Sequence, residues 1–164
     1  MINFDFDKDC CGCFACVDVC PKQCITQTKN RYGFLVPEID KSVCIDCHLC
    51  EKICPVLNPE MNVYAERKVF SAYNINEAIR AAGSSGSVFY TLAEYIIKSG
   101  GIVYGAAFGD HFQLRHTSAE TLEELKPLLK SKYLQSNTKG VYNSVKAQLK
   151  TGRQVLFCRN TMSM

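Results

Sequence analysis

The sequence is poor in the features that mark membrane, exported and disordered chains. Its longest apolar run without a charge, from Gly100 to Gly109, has ten residues, about half of the roughly 20 that span a bilayer. The N-terminus carries acids where a secretory signal carries bases, and no apolar stretch follows it. Only ten glycines and five prolines occur among 164 residues, and 47% of the residues are hydrophobic, which excludes collagen-like and disordered classes. We therefore expect a cytoplasmic globular protein with no membrane span.

Cysteine is the residue in clear excess. The chain has eleven cysteines, and ten of them lie between Cys10 and Cys54. An odd number of cysteines in a cytoplasmic chain favours metal ligation over disulfides. The clustering therefore indicates a local metal site.

The cysteines form an internal repeat with an offset of 34 residues. Both halves read C-x-x-C-x-x-C-x-x-x-C-P, at residues 10–21 and 44–55. Three thiolates at every third residue can surround one face of a cubane cluster, whereas the fourth, after a short helical step, serves the other cluster. The predicted ligands are Cys10, Cys13, Cys16 and Cys54 for the first 4Fe-4S cluster, and Cys44, Cys47, Cys50 and Cys20 for the second.

Zinc is the alternative, because C-x-x-C pairs also build zinc sites. Four zinc ligands would leave the third cysteine of each triplet and the Cys-Pro without a role, so the duplicated motif favours iron and sulfur. Residues 8–56 resemble a bacterial-type ferredoxin, with residues 31–37 as a hairpin that turns at Gly33. Cys11 and Cys24 are interpreted as packing thiols. Because so short a segment has almost no apolar core, we expect it to be unfolded without iron.

Charge is distributed unevenly along the chain. Residues 1–60 hold nine acids and six bases, and residues 61–164 hold seven acids and thirteen bases. The lysines of the basic part are scattered and no aromatic side chains interleave with them, as single-strand binding would require. We expect a solvated surface and no nucleic-acid partner.

The composition changes after Cys54, where two prolines mark a linker. We predict a ferredoxin domain at residues 1–60 and a flavin-binding-like domain at residues 61–164. Hydrophobic periodicity in the second part predicts helices at 87–99, 122–130 and 140–150, and strands at 69–73, 102–108, 113–117 and 154–157. The predicted fold class is an α+β ferredoxin-type domain followed by an incomplete α/β layered domain.

A glycine- and serine-rich loop precedes the first of these helices. Backbone N–H groups at a helix N-terminus suit a pyrophosphate, although glycine and serine also form ordinary caps. We interpret the loop as a candidate FAD site, with Lys132 adding a charge-assisted contact. The candidate cofactor residues are Gly83, Ser84, Ser85, Gly86, Ser87 and Lys132.

Together with residues 100–105, 131–136 and 145–157, this loop resembles the beta subunit of coenzyme F-420 hydrogenase/dehydrogenase. The resemblance runs from about Lys8 to Phe157 and implies electron exchange among two 4Fe-4S clusters, FAD and a hydride carrier. Ser87 stands where that family usually has glycine, and its Gly-Thr-Pro-Cys-Gln turn is missing after Phe157. We therefore expect a truncated flavin domain.

The resulting hypothesis is an iron-sulfur flavoprotein component that works with a redox partner protein or subunit. One alternative is a ferredoxin-type electron carrier with a docking module, and another is an inactive fragment. Because a truncated domain would leave apolar surface exposed, we also expect self-association.

Overall fold

The computed structural model of the protein describes residues 2–3, 5–59 and 68–159. Contacts divide these residues into two units. The first unit contains the described residues up to 59 together with 137–144, and the second contains 68–136 and 145–159. The predicted domain boundary between residues 60 and 61 lies outside the described residues. The assignment of residues 137–144 to the first unit was not predicted.

Short elements make up the first unit. Its two helices and one antiparallel hairpin are α1 (Ala15–Val19), β1 (Ile25–Lys29), β2 (Leu35–Ile39) and α2 (Leu49–Ile53). Gly33 has φ +84° at the hairpin turn, a left-handed conformation that glycine adopts without strain. The Asn30 side chain accepts hydrogen bonds from the Tyr32 and Phe34 amides. The predicted hairpin and its turn residue are confirmed.

The apolar core of the first unit is small. The buried side chains of its main cluster, outside the cysteines, are Ile2, Phe14, Val17 and Ile25. Cys16, Cys24 and Cys54 complete the same cluster. Cysteine side chains thus supply a large share of the core, so bonds to a metal would be a main source of folding free energy.

Residues 137–143 contact the first half of the cysteine repeat through Asp18. The Asp18 carboxylate accepts hydrogen bonds from the amides of Gly140, at 2.6 Å, and Tyr142, at 3.0 Å. Asn143 Nδ2 donates to the Asp18 carbonyl at 2.9 Å. Asp18 therefore satisfies amide groups that a helix N-terminus leaves without intrahelical partners, here those that begin α6 (Val141–Lys150).

Two further contacts attach this segment to the first unit. The Thr138 hydroxyl donates to the Cys13 carbonyl at 2.8 Å, and the Gln27 and Asn137 side-chain amides exchange two hydrogen bonds of 3.0 Å. Thr138 is only 4% exposed, so its hydrogen bond is shielded from competing water. The segment is thereby fixed against the backbone of a predicted cluster ligand.

The second unit combines helices with a small mixed sheet. The remaining helices and strands are α3 (Glu77–Ala82), α4 (Val88–Lys98), β3 (Ile102–Phe108), β4 (Leu114–Ala119), α5 (Leu122–Leu125) and β5 (Val155–Phe157). The strand order is β4-β3-β5, with β4 antiparallel and β5 parallel to β3. The layered α/β arrangement of this part stays a prediction. Among the described residues, no helix is long and apolar enough to cross a membrane.

Hydrophobic periodicity located α4, α6, β3 and β5 to within about one residue. In α4, Ala93 is fully buried and Phe89, Ile96 and Ile97 pack beside it, whereas Leu92 is half exposed. The predicted helix at 122–130 is shorter, since α5 ends at Leu125 and a 3₁₀ turn follows. The capping box between Thr121 and Glu124 begins α5.

The predicted strand at 69–73 is wrong. Residues 68–74 form neither helix nor strand, and Val69 and Phe70 are 92% and 82% exposed. A strand needs a neighbour that pairs with its backbone, and these residues pair with neither of the outer strands, β4 and β5, of the described sheet. Helix α3 was not predicted, although Asn76 caps its first turn by accepting from the amides of Ala78 and Ile79.

The Asp18 contacts predict a local effect on residues 137–143. We expect Asp18→Ala to accelerate hydrogen exchange at the Gly140 and Tyr142 amides about fivefold, because a lost side-chain cap costs about 1 kcal/mol. Native-state exchange measured by NMR tests this. Glu38→Ala, which removes an exposed acid of β2, should leave both rates unchanged. Equal acceleration in the two variants would contradict a specific role for Asp18.

Candidate metal centre

The two halves of the cysteine repeat follow the same backbone path. Gly12 and Asp46, at matched positions, have φ of +61° and +51°, and Phe14 and His48 have +58° and +57°. Left-handed backbone is uncommon for residues other than glycine, especially for a bulky side chain such as Phe. Its occurrence at both matched pairs means that the two loops turn around their cysteines in the same way.

Backbone amides in both loops point at cysteine sulfurs. Gly12 N–H donates to Cys10 Sγ and Asp46 N–H donates to Cys44 Sγ, each at 3.4 Å. The third cysteine of each half lies inside a five-residue helix, and the fourth forms the extended C-cap that ends it. The fourth cysteine therefore lies outside the loop that contains the other three.

The first cavity is lined by thiols from both halves. It encloses about 310 Å³ of empty space, part of which opens to solvent. Its predicted ligands are Cys10, Cys13, Cys16 and Cys54, and Cys11, Ile2, Phe6, Phe14, Pro37 and Val56 also line it. Cys54 belongs to the second half, so this cavity contains the three cysteines of one loop and the fourth of the other.

The second cavity has the complementary composition. It encloses about 370 Å³ of empty space, again partly open. Its predicted ligands are Cys20, Cys44, Cys47 and Cys50, and Cys24, Ile25, Ile39, Ile45 and Leu49 are among its other lining residues. Here Cys20 comes from the first half and the other three from the second.

The thiols line each cavity without converging on one position. Within the part of the chain that the structure describes, no three Cys, His, Asp or Glu side chains converge closely enough to hold a single metal ion. A 4Fe-4S cluster is larger than a single metal ion, so the thiolates that bind it lie further apart than the ligands of one ion. The donor arrangement fits a polynuclear cluster better than a lone tetrahedral zinc ion.

Burial keeps several of these thiols protonated when no metal is bound. It raises the pKa of Cys16 to about 12 and also raises the pKa of Cys10. A hydrogen bond with Cys11, together with burial, raises the pKa of Cys13 well above its usual range. Because thiolates are the ligands, metal binding releases these protons and becomes more favourable as pH rises.

Cys24 lies beside the second cavity and differs from Cys20 in protonation. The two sulfurs are 3.4 Å apart. Burial raises the pKa of Cys24 to about 12. Burial also acts to raise the pKa of Cys20, but hydrogen bonds from Cys24 and from backbone amides outweigh it and lower that pKa. The two sulfurs thus form a hydrogen bond in which either could be the donor, and the lower pKa of Cys20 makes it the easier of the two to deprotonate for metal binding.

Packing explains the glycines of the candidate flavin loop. A Cβ at Gly86 would lie 2.3 Å from the Ala72 carbonyl oxygen, and a Cβ at Gly83 would lie 2.0 Å from Ser87 Oγ. Ser87, which is 3% exposed, donates to the carbonyls of Ile79 and Arg80. These residues are therefore needed by the fold whether or not a phosphate binds.

Ser84 and Lys132 also have partners in the protein. Ser84 Oγ accepts from the Ser131 amide at 2.9 Å, so the loop lies next to the segment that contains Lys132. Lys132 Nζ donates to the carbonyls of Pro127 and Leu129. Burial lowers the Lys132 pKa. Ser85 is exposed and has φ +54° at the start of α4.

Asp18 and Thr138 were missed as residues that support the metal centre. Asp18 lies between two cysteines of the first half, but its partners are more than 120 residues further along the chain. The only sequence signal is the polar run from Ser136 to Gly140. A polar run of that length is typical of any loop, and it cannot identify the backbone carbonyl that Thr138 contacts.

Comparisons with known proteins agree with the cysteine pattern. Residues 9–58 match the 4Fe-4S dicluster domain family. The chain is 48% identical over 42 residues to the 7Fe ferredoxin of Hydrogenibacillus schlegelii, covering 26% of this chain and 47% of that protein. It is 40% identical over 60 residues to Ferredoxin-1 of Caulobacter vibrioides, covering 35% and 49%. The chain thus spans about half the length of these two relatives.

A third relative is covered more completely. The chain is 36% identical over 63 residues to a ferredoxin of Alicyclobacillus acidocaldarius, which is 37% of this chain and 74% of that protein. The family match ends at residue 58 and so does not include the glycine- and serine-rich loop. Through its N-terminal part, the chain belongs to the ferredoxins with a 4Fe-4S dicluster domain.

Proposed function

We propose that this chain is a ferredoxin-type electron carrier that holds two 4Fe-4S clusters and exchanges electrons with a partner protein. The observation that carries the proposal is the pair of cavities, each lined by three cysteines of one loop and the fourth of the other. Such clusters supply reversible one-electron chemistry when bound. The protein supplies the thiolates, the amide hydrogen bonds and the enclosure.

The surroundings of the sulfurs are suited to tuning a redox potential. Hydrogen bonds to the ligand sulfurs and the exclusion of solvent are two of the means by which a protein sets that potential. Gly12 and Asp46 donate to Cys10 and Cys44 with the same 3.4 Å geometry. Phe14 is 1% exposed, whereas the matched His48 side chain is 52% exposed. The two centres should therefore have different potentials.

An iron-sulfur flavoprotein like the F-420 hydrogenase/dehydrogenase beta subunit is the second candidate. The observation that favours it is the contact between Ser84 and Ser131, which joins two segments of that resemblance at the N-terminus of the eleven-residue helix α4. The exposed Ser85 adjoins the same N-terminus. In this candidate FAD would convert one-electron into two-electron chemistry.

Pairs of cysteine substitutions test the crossed ligand sets. Cys16→Ala with Cys54→Ala removes two predicted ligands of one cluster, so the chain should keep about half of its iron. Cys50→Ala with Cys54→Ala removes one ligand from each cluster and should lose most of it. Iron and acid-labile sulfide per chain, measured after anaerobic reconstitution, distinguish the variants. Cys16 and Cys50 occupy matched positions of the repeat, so each pair controls for the other. If the Cys50→Ala, Cys54→Ala variant kept more iron than the Cys16→Ala, Cys54→Ala variant, each half would bind its own cluster.

A charge at Ser85 tests the flavin site without disturbing packing. Ser85→Asp should weaken FAD binding at least about tenfold, because it places an anion where the pyrophosphate would lie. Ser85→Asn is the matched neutral control, since Asn and Asp both tolerate a left-handed backbone. Quenching of FAD fluorescence on titration gives the affinities. Equal affinities of the two variants, or the absence of quenching by the unmodified chain, would eliminate the flavoprotein candidate.

A further inference from the structure

The two cysteine cavities differ in their access to solvent. In the first, Cys16 and Cys54 are buried, and the lining residues Ile2 and Phe14 are 5% and 1% exposed. In the second, none of the four predicted ligands is buried, and Cys47 is exposed. Because electron transfer slows steeply with distance, a protein partner can exchange electrons more rapidly at the second cavity.

Exposed apolar side chains lie at the opening of the second cavity. Ile45 and Leu49 line it and are 56% and 38% exposed. Ile53, which is 49% exposed, follows Leu49 by four residues on α2 and so lies on the same helix face. We call Ile45, Leu49 and Ile53 the apolar rim. Its position beside predicted ligands makes it continuous with the redox site.

The polar side chains nearest the rim contact one another. His48 Nδ1 lies 2.9 Å from Glu51 Oε2, and His48 Nε2 lies 3.6 Å from Asp46 Oδ2. Lys52 follows Glu51 on the same short helix. Acids and bases are therefore interspersed around the rim, and no field of one sign extends over it. Such a surface selects a partner by apolar contact more than by charge.

We propose that the apolar rim is the docking surface for the redox partner and that electrons enter and leave at the second cavity. The partner is a different redox protein whose redox centre lies close to an apolar part of its own surface. Transient redox encounters bury less than about 1,200 Å² in total, whereas permanent homodimers commonly bury more than about 2,000 Å². Three exposed side chains suit the smaller interface. This inference rests on the proposed function.

The reaction assigned to this surface is a single-electron transfer. One electron leaves the reduced centre of this chain and reduces the oxidised centre of the partner, and no bond or proton changes place. Dithionite supplies the electron to this chain beforehand, and excess dithionite is removed. Cytochrome c is a suitable probe, because it is a one-electron acceptor whose reduction is followed by absorbance.

The experiment compares two pairs of substitutions in the full chain with both clusters assembled. Leu49→Gln with Ile53→Gln makes the rim polar while keeping good helix formers in α2. Val69→Gln with Phe70→Gln is the matched control, since these two side chains are also apolar and highly exposed. Stopped-flow reduction of cytochrome c is measured at about 1 M salt, where the Debye length is about 3 Å.

We expect the rim pair to lower the second-order rate constant about tenfold or more, and the control pair to change it less than twofold. Because Leu49 lines the second cavity, iron content, EPR spectrum and reduction potential are measured for both pairs, and the rate constants are compared per assembled cluster at equal driving force. An unchanged rate for the rim pair, or equal slowing by the control pair, would overturn the proposal. Sedimentation showing a dimer that only the rim pair dissociates would assign the rim to a second copy and would also overturn it. An unmodified chain without bound iron would instead refute the proposed function itself.

Discussion

The first unit depends on one arrangement: each thiol-lined cavity takes its fourth cysteine from the other half of the repeat. Cys54 lines the cavity of the first loop and Cys20 that of the second. Neither cavity is complete within one half, so the halves must fold together. The apolar core around them is small and consists partly of cysteines. In the proposed arrangement, bonds to metal across the two halves would replace the hydrophobic contacts that a larger domain uses.

The repeat makes two cavities with the same backbone but different surroundings. Phe14 and His48 occupy matched left-handed positions, yet Phe14 is buried and His48 is exposed. Asp18 and Thr138 attach residues 137–143 to the first half, and the described residues show no equivalent segment on the second half. The duplication thus provides two similar cavities that differ in their access to solvent, one enclosed and one accessible.

Sequence reasoning succeeded where the signal is local. The cysteine spacing, the glycine turn at Gly33 and the periodicity of α4 each depend on residues close together in the chain. It failed where a distant partner decides: residues 69–73 resemble a strand but pair with none of the strands that the structure describes, and Asp18 binds amides more than 120 residues away. Gly86 illustrates a third case. A glycine before a helix suits either a phosphate or close packing, and only the structure reveals the packing, since a Cβ added at Gly86 would lie 2.3 Å from the Ala72 carbonyl oxygen.

The mass of the metal and sulfide bound in the two thiol-lined cavities can be measured directly. Native mass spectrometry of the anaerobically reconstituted chain gives the mass of everything bound to it. We expect a mass increase equal to two Fe₄S₄ units per chain, with no intermediate in which a single half of the repeat has folded around its own cluster. A mass increase equal to zinc ions, or to one cluster at saturation with iron and sulfide, would contradict this expectation.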